Sequence, residues 1–105
     1  MMQAIRTQIV LAVAVSLASA MCFAQSPGGT IYKASCQSCH GATGTPSAGM
    51  AKAMGIKPVS DPAIKSLTED QIISTVKNGK GKMKPVAGLT DPQIKAVAAY
   101  FKTLK

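Results

Sequence analysis

Cys36, Cys39 and His40 stand in the run Cys36-Gln37-Ser38-Cys39-His40, a C-x-x-C-H spacing that suits two thioether bonds to a haem and one histidine ligand to its iron. Cysteines three apart on a helical turn share a face, so both sulfurs reach the vinyl groups along one edge of a porphyrin. His40, next in the chain, then falls beneath the iron. The expected cofactor is one haem c, held covalently through Cys36 and Cys39 with His40 as a metal ligand.

Other chemistries use a cysteine pair. C-x-x-C also serves thiol–disulfide exchange and zinc binding. Zinc is disfavoured because the chain has one histidine and, past its first two dozen residues, only these two cysteines, short of a closed four-ligand site. A thioredoxin-like reading lacks its βαβ pattern. The second iron ligand is sought among the methionines. Met83 is the one apolar side chain between lysines in Asn78-Gly79-Lys80-Gly81-Lys82-Met83-Lys84-Pro85. A thioether is a soft ligand, and one bound opposite histidine raises the reduction potential. Met83 is therefore the preferred distal ligand. Met50 and Met54 are the other candidates, with a helical spacing that suits packing or a pocket wall, and a gap-filling loop methionine is the plain alternative.

The N-terminal stretch reads as an address. Arg6 supplies positive charge, Ile9 to Leu17 is apolar apart from Ser16, and small residues follow, as in a secretory signal. Cleavage after Ala20 or Ala24 fits the small-residue rule, and Ala24 is favoured because Gln25-Ser26-Pro27 opens a polar start. The domain reading is thus a signal peptide over 1–24 and one domain over 25–105, periplasmic or otherwise exported. Lipidation at Cys22 is disfavoured by bulky Met21. A retained anchor wants about 20 apolar residues, and Thr7, Gln8, Ser16 and Ser19 leave this stretch short. No stable membrane insertion is expected after processing.

A domain of this size has a thin core. With both cysteines consumed there is no disulfide, and the chain holds two Tyr, two Phe and no Trp. A buried macrocycle would supply the missing apolar area, so the cofactor is expected to be structural as well as chemical.

The elements that must position these groups are helical, with no convincing strand: about three main helices plus short helical turns. Ser26 caps a helix with Pro27 at its first position, expected to run to about Cys39 and to stop at Gly41. Gly28 and Tyr32 share a face, where glycine permits close approach by another helix. Gly41 to Gly49 is a loop by composition. One or two turns follow over Met50–Met54, and a single turn over Asp61–Lys65. A carbonyl in the loop, that of Pro46 for example, is a candidate acceptor for the second N–H of His40. Leu67-Thr68-Glu69-Asp70-Gln71-Ile72 and Leu89-Thr90-Asp91-Pro92-Gln93-Ile94 repeat one device: a threonine cap, a glutamine closing the capping box, and a leucine stapled to an isoleucine. The first of these helices is expected to bury Ile72, Ile73 and Val76 and to end at a left-handed Gly79 cap. The last is expected to bury Ile94, Val97, Ala98, Phe101 and Leu104 and to cross the helix at Pro27.

Over residues 26–105 the chain resembles the class I cytochromes c, specifically the small monohaem bacterial electron carriers. The resemblance rests on G-x-x-x-Y-x-x-x-C-x-x-C-H-G from Gly28 to Gly41, the N-G-K-G-K-M-x-P loop and the closing A-A-Y-F-x-x-L helix. It implies the all-α cytochrome c fold wrapped around one covalently attached haem, with Gly28 and Tyr32 packing on Val97 and Tyr100. It also implies axial ligation by His40 and Met83. Lys84 separates Met83 from Pro85 where close relatives often place the proline next to the methionine. That change leaves the ligand assignment intact and bears on how tightly the loop is held.

Iron held by two fixed side chains has no open position, which argues for one-electron transfer between redox partners and against an enzyme. The alternatives are a haem subunit of a dehydrogenase or oxidase complex, and a small-ligand-binding haem protein if Met83 does not ligate. The formal charge is +8, from 12 basic and 4 acidic residues. Lys80, Lys82 and Lys84 around the ligand loop would steer a partner with an acidic docking surface, or serve only solubility. Nucleic acid is not an expected partner, since no recognition motif accompanies the lysines. A monomer is expected.

Overall fold

Five of the six helices among the described residues begin at a side chain that takes up an otherwise unpaired backbone N–H. The computed structural model describes residues 26–105. The proposed leader, its cleavage sites after Ala20 or Ala24, and Cys22 lie outside them. Ser26 caps α1 (Pro27–Ser35), Ser47 caps α3 (Ala48–Met54) and Asp61 caps α4 (Pro62–Lys65). Thr68 caps α5 (Glu69–Asn78) and Thr90 caps α6 (Asp91–Phe101), each with a complete capping box closed by Gln71 or Gln93. Only α2 (Gln37–His40) starts without a side-chain cap. Such caps contribute about 1 kcal/mol each, which matters in a domain whose buried apolar residues number seven among those described.

All four acids sit at or in the first turn of a helix: Asp61 at the α4 cap, Glu69 and Asp70 in α5, Asp91 in α6. There the helix dipole favours them. Asp91 also pairs with Lys77 at 2.9 Å, an exposed link between the end of α5 and the start of α6.

The last helix organises the rest by packing on α1 with one face and α5 with another. At the first crossing Gly28 lies so close to α6 that a Cβ would run into the Ala96 carbonyl and come within 2.9 Å of the Tyr100 Cβ. The absence of a side chain sets that approach. Tyr32 follows one turn later, 1% exposed, with its ring 5.4 Å from that of Tyr100. At the second contact Ile72, Val76, Ile94 and Ala98 form one buried cluster, with Leu67 and Leu89 packed on it as the staples require. Val97 is buried as expected, and Val59 joins the buried set from the loop before α4, where its N–H donates to the Gly44 carbonyl at 3.0 Å.

Some expectations need correction. The first helix does not run on to Cys39: it breaks at Cys36 (φ −121°, ψ −35°), and α2 restarts as a separate turn that ends at Gly41. The short third helix starts at Ala48, two residues before Met50, because Ser47 caps it. Gly79 ends α5 with φ 75° but ψ 171°, so the chain leaves extended and not in the left-handed helical basin. Ile73 and Phe101 are half-buried, and Leu104 lies beyond the end of α6. No strand occurs among the described residues, only an isolated bridge between Lys80 and Met83. None of these helices is long and apolar enough to cross a membrane.

Candidate functional site

The break at Cys36 shapes one wall of the site. Its N–H still donates to the Tyr32 carbonyl at 2.9 Å, and its own carbonyl accepts from Cys39 at 3.2 Å and from His40 at 3.0 Å. The turn carrying Cys39 and His40 is therefore hung from Cys36. Its far end is pinned by Tyr32, whose hydroxyl donates to the Gly41 carbonyl at 2.6 Å. Burial, with Cys36 and Tyr100 adding to it, pushes the Tyr32 phenol up to about 12, so the ring stays a neutral donor across the physiological range. The His40 ring meets Phe101 edge-on, centroids 5.9 Å apart at 80°.

Burial also acts on the ionisable groups of this wall. It holds the His40 imidazole below its ordinary value, favouring the neutral ring that ligates metals. It pushes the Cys36 thiol up, and Cys39 adds to that shift. A disulfide-exchange centre has the opposite tendency, a depressed thiol that is reactive as thiolate. Cys36 and Cys39 are both free and half-buried.

The facing wall is the loop after α5. Lys80 and Met83 exchange two backbone hydrogen bonds, 2.9 Å and 3.0 Å, across the two-residue turn Gly81-Lys82. Gly79 makes the entry possible: its φ of 75° disfavours any side chain, and a Cβ would stand 2.6 Å from the Met83 carbonyl and 2.9 Å from the Pro85 ring. The exit is held where the Val86 N–H donates to the Val76 carbonyl at 2.9 Å. Lys82 reaches away from the loop and donates to the Ala53 carbonyl in the last turn of α3 at 2.9 Å.

Between the walls lies a cavity of about 940 Å³, inside the range of roughly 300–1,000 Å³ typical of ligand pockets. Cys36, Cys39, His40 and Met83 all line it. The rest of its lining is largely apolar, with Ile56, Ile64 and Leu67 from the middle of the chain and Val97 and Phe101 from α6. Of the two other methionine candidates, Met54 lines the cavity and Met50 does not. Pro46 is buried, yet no hydrogen bond joins its carbonyl to the His40 ring among the described residues. The sequence carried no signal for the Tyr32–Gly41 bond or for the Lys82–Ala53 bond. Phe101 was legible as an apolar position but not as the neighbour of His40.

The profile of the family described as cytochrome c oxidase, cbb3-type, subunit III matches residues 23–101. The chain belongs to that cytochrome c family. Among solved structures it is similar to the KustC0563 c-type cytochrome, with a TM-score of 0.66 and 25% sequence identity over 74% of this chain and 96% of that one. No curated protein sequence matches it. The all-α cytochrome c fold expected from the sequence is the fold observed.

Cytochromes c carry covalently bound haem, and the residues here fit that group. The cavity brings together one half-buried imidazole, two free thiols on the same short turn and thioethers from Met54 and Met83. Apolar walls enclose these donors on several sides. No group of three or more His, Cys, Asp or Glu that could hold a metal ion occurs among the described residues.

Proposed function

We propose that this cytochrome is an exported one-electron carrier working through a single haem c, which Cys36 and Cys39 would hold covalently and His40 and Met83 would ligate through iron. The observation that carries the reading is the convergence of those four side chains on one largely apolar cavity. Once bound, haem supplies a one-electron ferric/ferrous couple, filled by a reduced donor and emptied by an oxidised acceptor. The protein's part would be to supply both iron ligands from His40 and Met83 and to surround the group with the largely apolar lining of the cavity. Two side chains committed to ligation leave no place for a substrate, which supports a carrier and not an enzyme.

Lys57, Lys80, Lys82 and Lys84 lie along the cavity lining, while the four acids are engaged at helix starts. That arrangement supports docking of partners with acidic surfaces. Electron transfer with such a partner slows as salt rises, and a rate indifferent to ionic strength removes the steering argument. The signal-like pattern of residues 1–24, with Arg6 before an apolar run and small residues after it, supports export, to the periplasm or otherwise.

The test is an intact mass of the exported protein together with spectra in both redox states. The expected result is one haem added to a chain beginning near Gln25, with a weak far-red methionine-to-iron band in the ferric form. Unmodified thiols sink the attachment, and a high-spin ferric spectrum favours a ligand-binding haem protein. One second reading has an observation of its own: the matching family is described as an oxidase subunit. Co-purification of a stable large partner would make this chain a haem subunit in place of a diffusible carrier.

A further inference from the structure

Three lysines surround Met83, and they do not do the same thing. Lys80, Lys82 and Lys84 are all exposed and all line the cavity. Of these three, Lys82 alone has a side-chain hydrogen bond among the described residues, from Nζ to the Ala53 carbonyl at 2.9 Å, across 29 positions of sequence. The acceptor is well chosen. Ala53 lies in the last turn of α3, whose final carbonyls have no partner within the helix and lie at the negative end of its dipole. The donor is equally well placed, at the second position of the turn that Lys80 and Met83 close by their two backbone bonds. Movement of the Lys82 backbone is therefore movement of Met83.

The loop has few other restraints. Its bridge is internal, so it shapes the turn without fixing where the turn sits. The remaining ties are the continuity with α5 at Gly79 and the Val86–Val76 bond beyond Pro85. Met83 and Met54 both line the cavity, and Ala53 immediately precedes Met54. A bond from Lys82 to Ala53 thus links two segments of the cavity lining that no other hydrogen bond connects among the described residues.

We infer that Lys82 is a positioning residue for the distal side of the site: its bond to the Ala53 carbonyl tethers the 80–83 turn to α3 and holds Met83 in place against competing ligands. The inference rests on the reading of Met83 as a ligand. It sets Lys82 apart from its neighbours, because a tethered ammonium is a structural strut where Lys80 and Lys84 remain free for solvent or partners. Releasing the tether lets the loop sample positions with Met83 withdrawn, and an added ligand that binds only those positions then gains apparent affinity.

The experiment titrates imidazole into the ferric holoprotein and follows the far-red band in the wild type, Lys82→Gln, Lys82→Arg and Lys84→Gln. Lys84→Gln removes an equal charge beside Met83 without touching the tether. The expected result is imidazole binding about 5-fold tighter in Lys82→Gln, the scale of one lost hydrogen bond. Lys82→Arg, which can still donate to the carbonyl, stays near the wild type, and so does Lys84→Gln. Equal change in Lys82→Gln and Lys84→Gln assigns the effect to charge and overturns the tether, as does no change in Lys82→Gln. Equally tightened imidazole binding in Lys82→Gln and Lys82→Arg overturns it too. Absence of the band in the wild type is a separate failure, that of the Met83 reading, and takes the tether's role with it.

Discussion

The two walls of the cavity are built to different standards. On the His40 side the turn is hung by backbone bonds from Cys36, pinned at Gly41 by a buried tyrosine and backed by the Phe101 ring. Behind it stands the α1–α6 crossing, packed so closely that Gly28 admits no Cβ. On the Met83 side a turn closed on itself is held in place by its continuity with α5, one backbone bond beyond it and an exposed lysine. Regions with few buried contacts and exposed hydrogen bonds open at lower free-energy cost. On the proposed ligation, exchange of a ligand is therefore expected on the Met83 side, while the His40 side is tied into the packing of the α1–α6 crossing.

The strongest challenge to that contrast removes the group between the walls. Replacing both Cys36 and Cys39 by serine is expected to abolish covalent haem and with it cooperative unfolding, since the buried apolar set alone is small. Circular dichroism with heating checks this. A transition at the midpoint of the haem-bearing protein would show that the chain folds without its cofactor.

Next in size, Gly28→Val drives a side chain into the backbone of α6. The expected cost is about 3 kcal/mol, felt in the global unfolding midpoint. Denaturant titration of the holoprotein measures it. A cost below that of Gly79→Ala would reverse the ranking of the two walls.

Tyr32→Phe removes the donor from a part-buried hydrogen bond and is expected to cost about 1–2 kcal/mol. Its pH signature is more specific. The Tyr32 phenol is raised from 10 to about 12 in the fold, so between those values the unfolded chain loses a proton that the folded one keeps. The contribution of this group is fully present below pH 10 and is lost as pH rises toward 12. The phenylalanine variant should show a correspondingly shallower alkaline decline, and identical slopes would mean that Tyr32 is not the group responsible.

The smallest global effect is expected from Gly79→Ala. A residue with a side chain at φ 75° costs roughly 1–2 kcal/mol, and here the clash falls on the Met83 carbonyl. The far-red band should weaken while the unfolding midpoint moves less than in Gly28→Val. A large loss of stability with an intact band would place the loop among the stabilising elements of the fold.

Features set within a few residues of the chain were readable from it. Thr68 with Gln71, Thr90 with Gln93, Ser26 with Pro27, and Cys36 with Cys39 and His40 are all pairings over four positions or fewer. Gly28 was readable too, as a glycine on the Tyr32 face, although the partner it meets most closely is Ala96 and not Val97. The break at Cys36 was hidden because a C-x-x-C-H run looks equally helical whether it continues the preceding helix or restarts after one residue. Met50 and Met54 were indistinguishable because residues four apart share a helix face. Tertiary placement separates them: Met54 lines the cavity beside Gly55 and Ile56, and Met50, one turn earlier, does not.

Composition, caps and one five-residue motif determined that the chain would be helical, cationic and equipped with two thiols and an imidazole on one turn, because each is a matter of local geometry and charge. Tertiary structure decided what those groups face. It brought Met83 to the same cavity as His40, set Tyr32 against the Gly41 carbonyl and carried Lys82 to Ala53. Those contacts join residues whose separation in the chain has no period, so no local pattern could announce them.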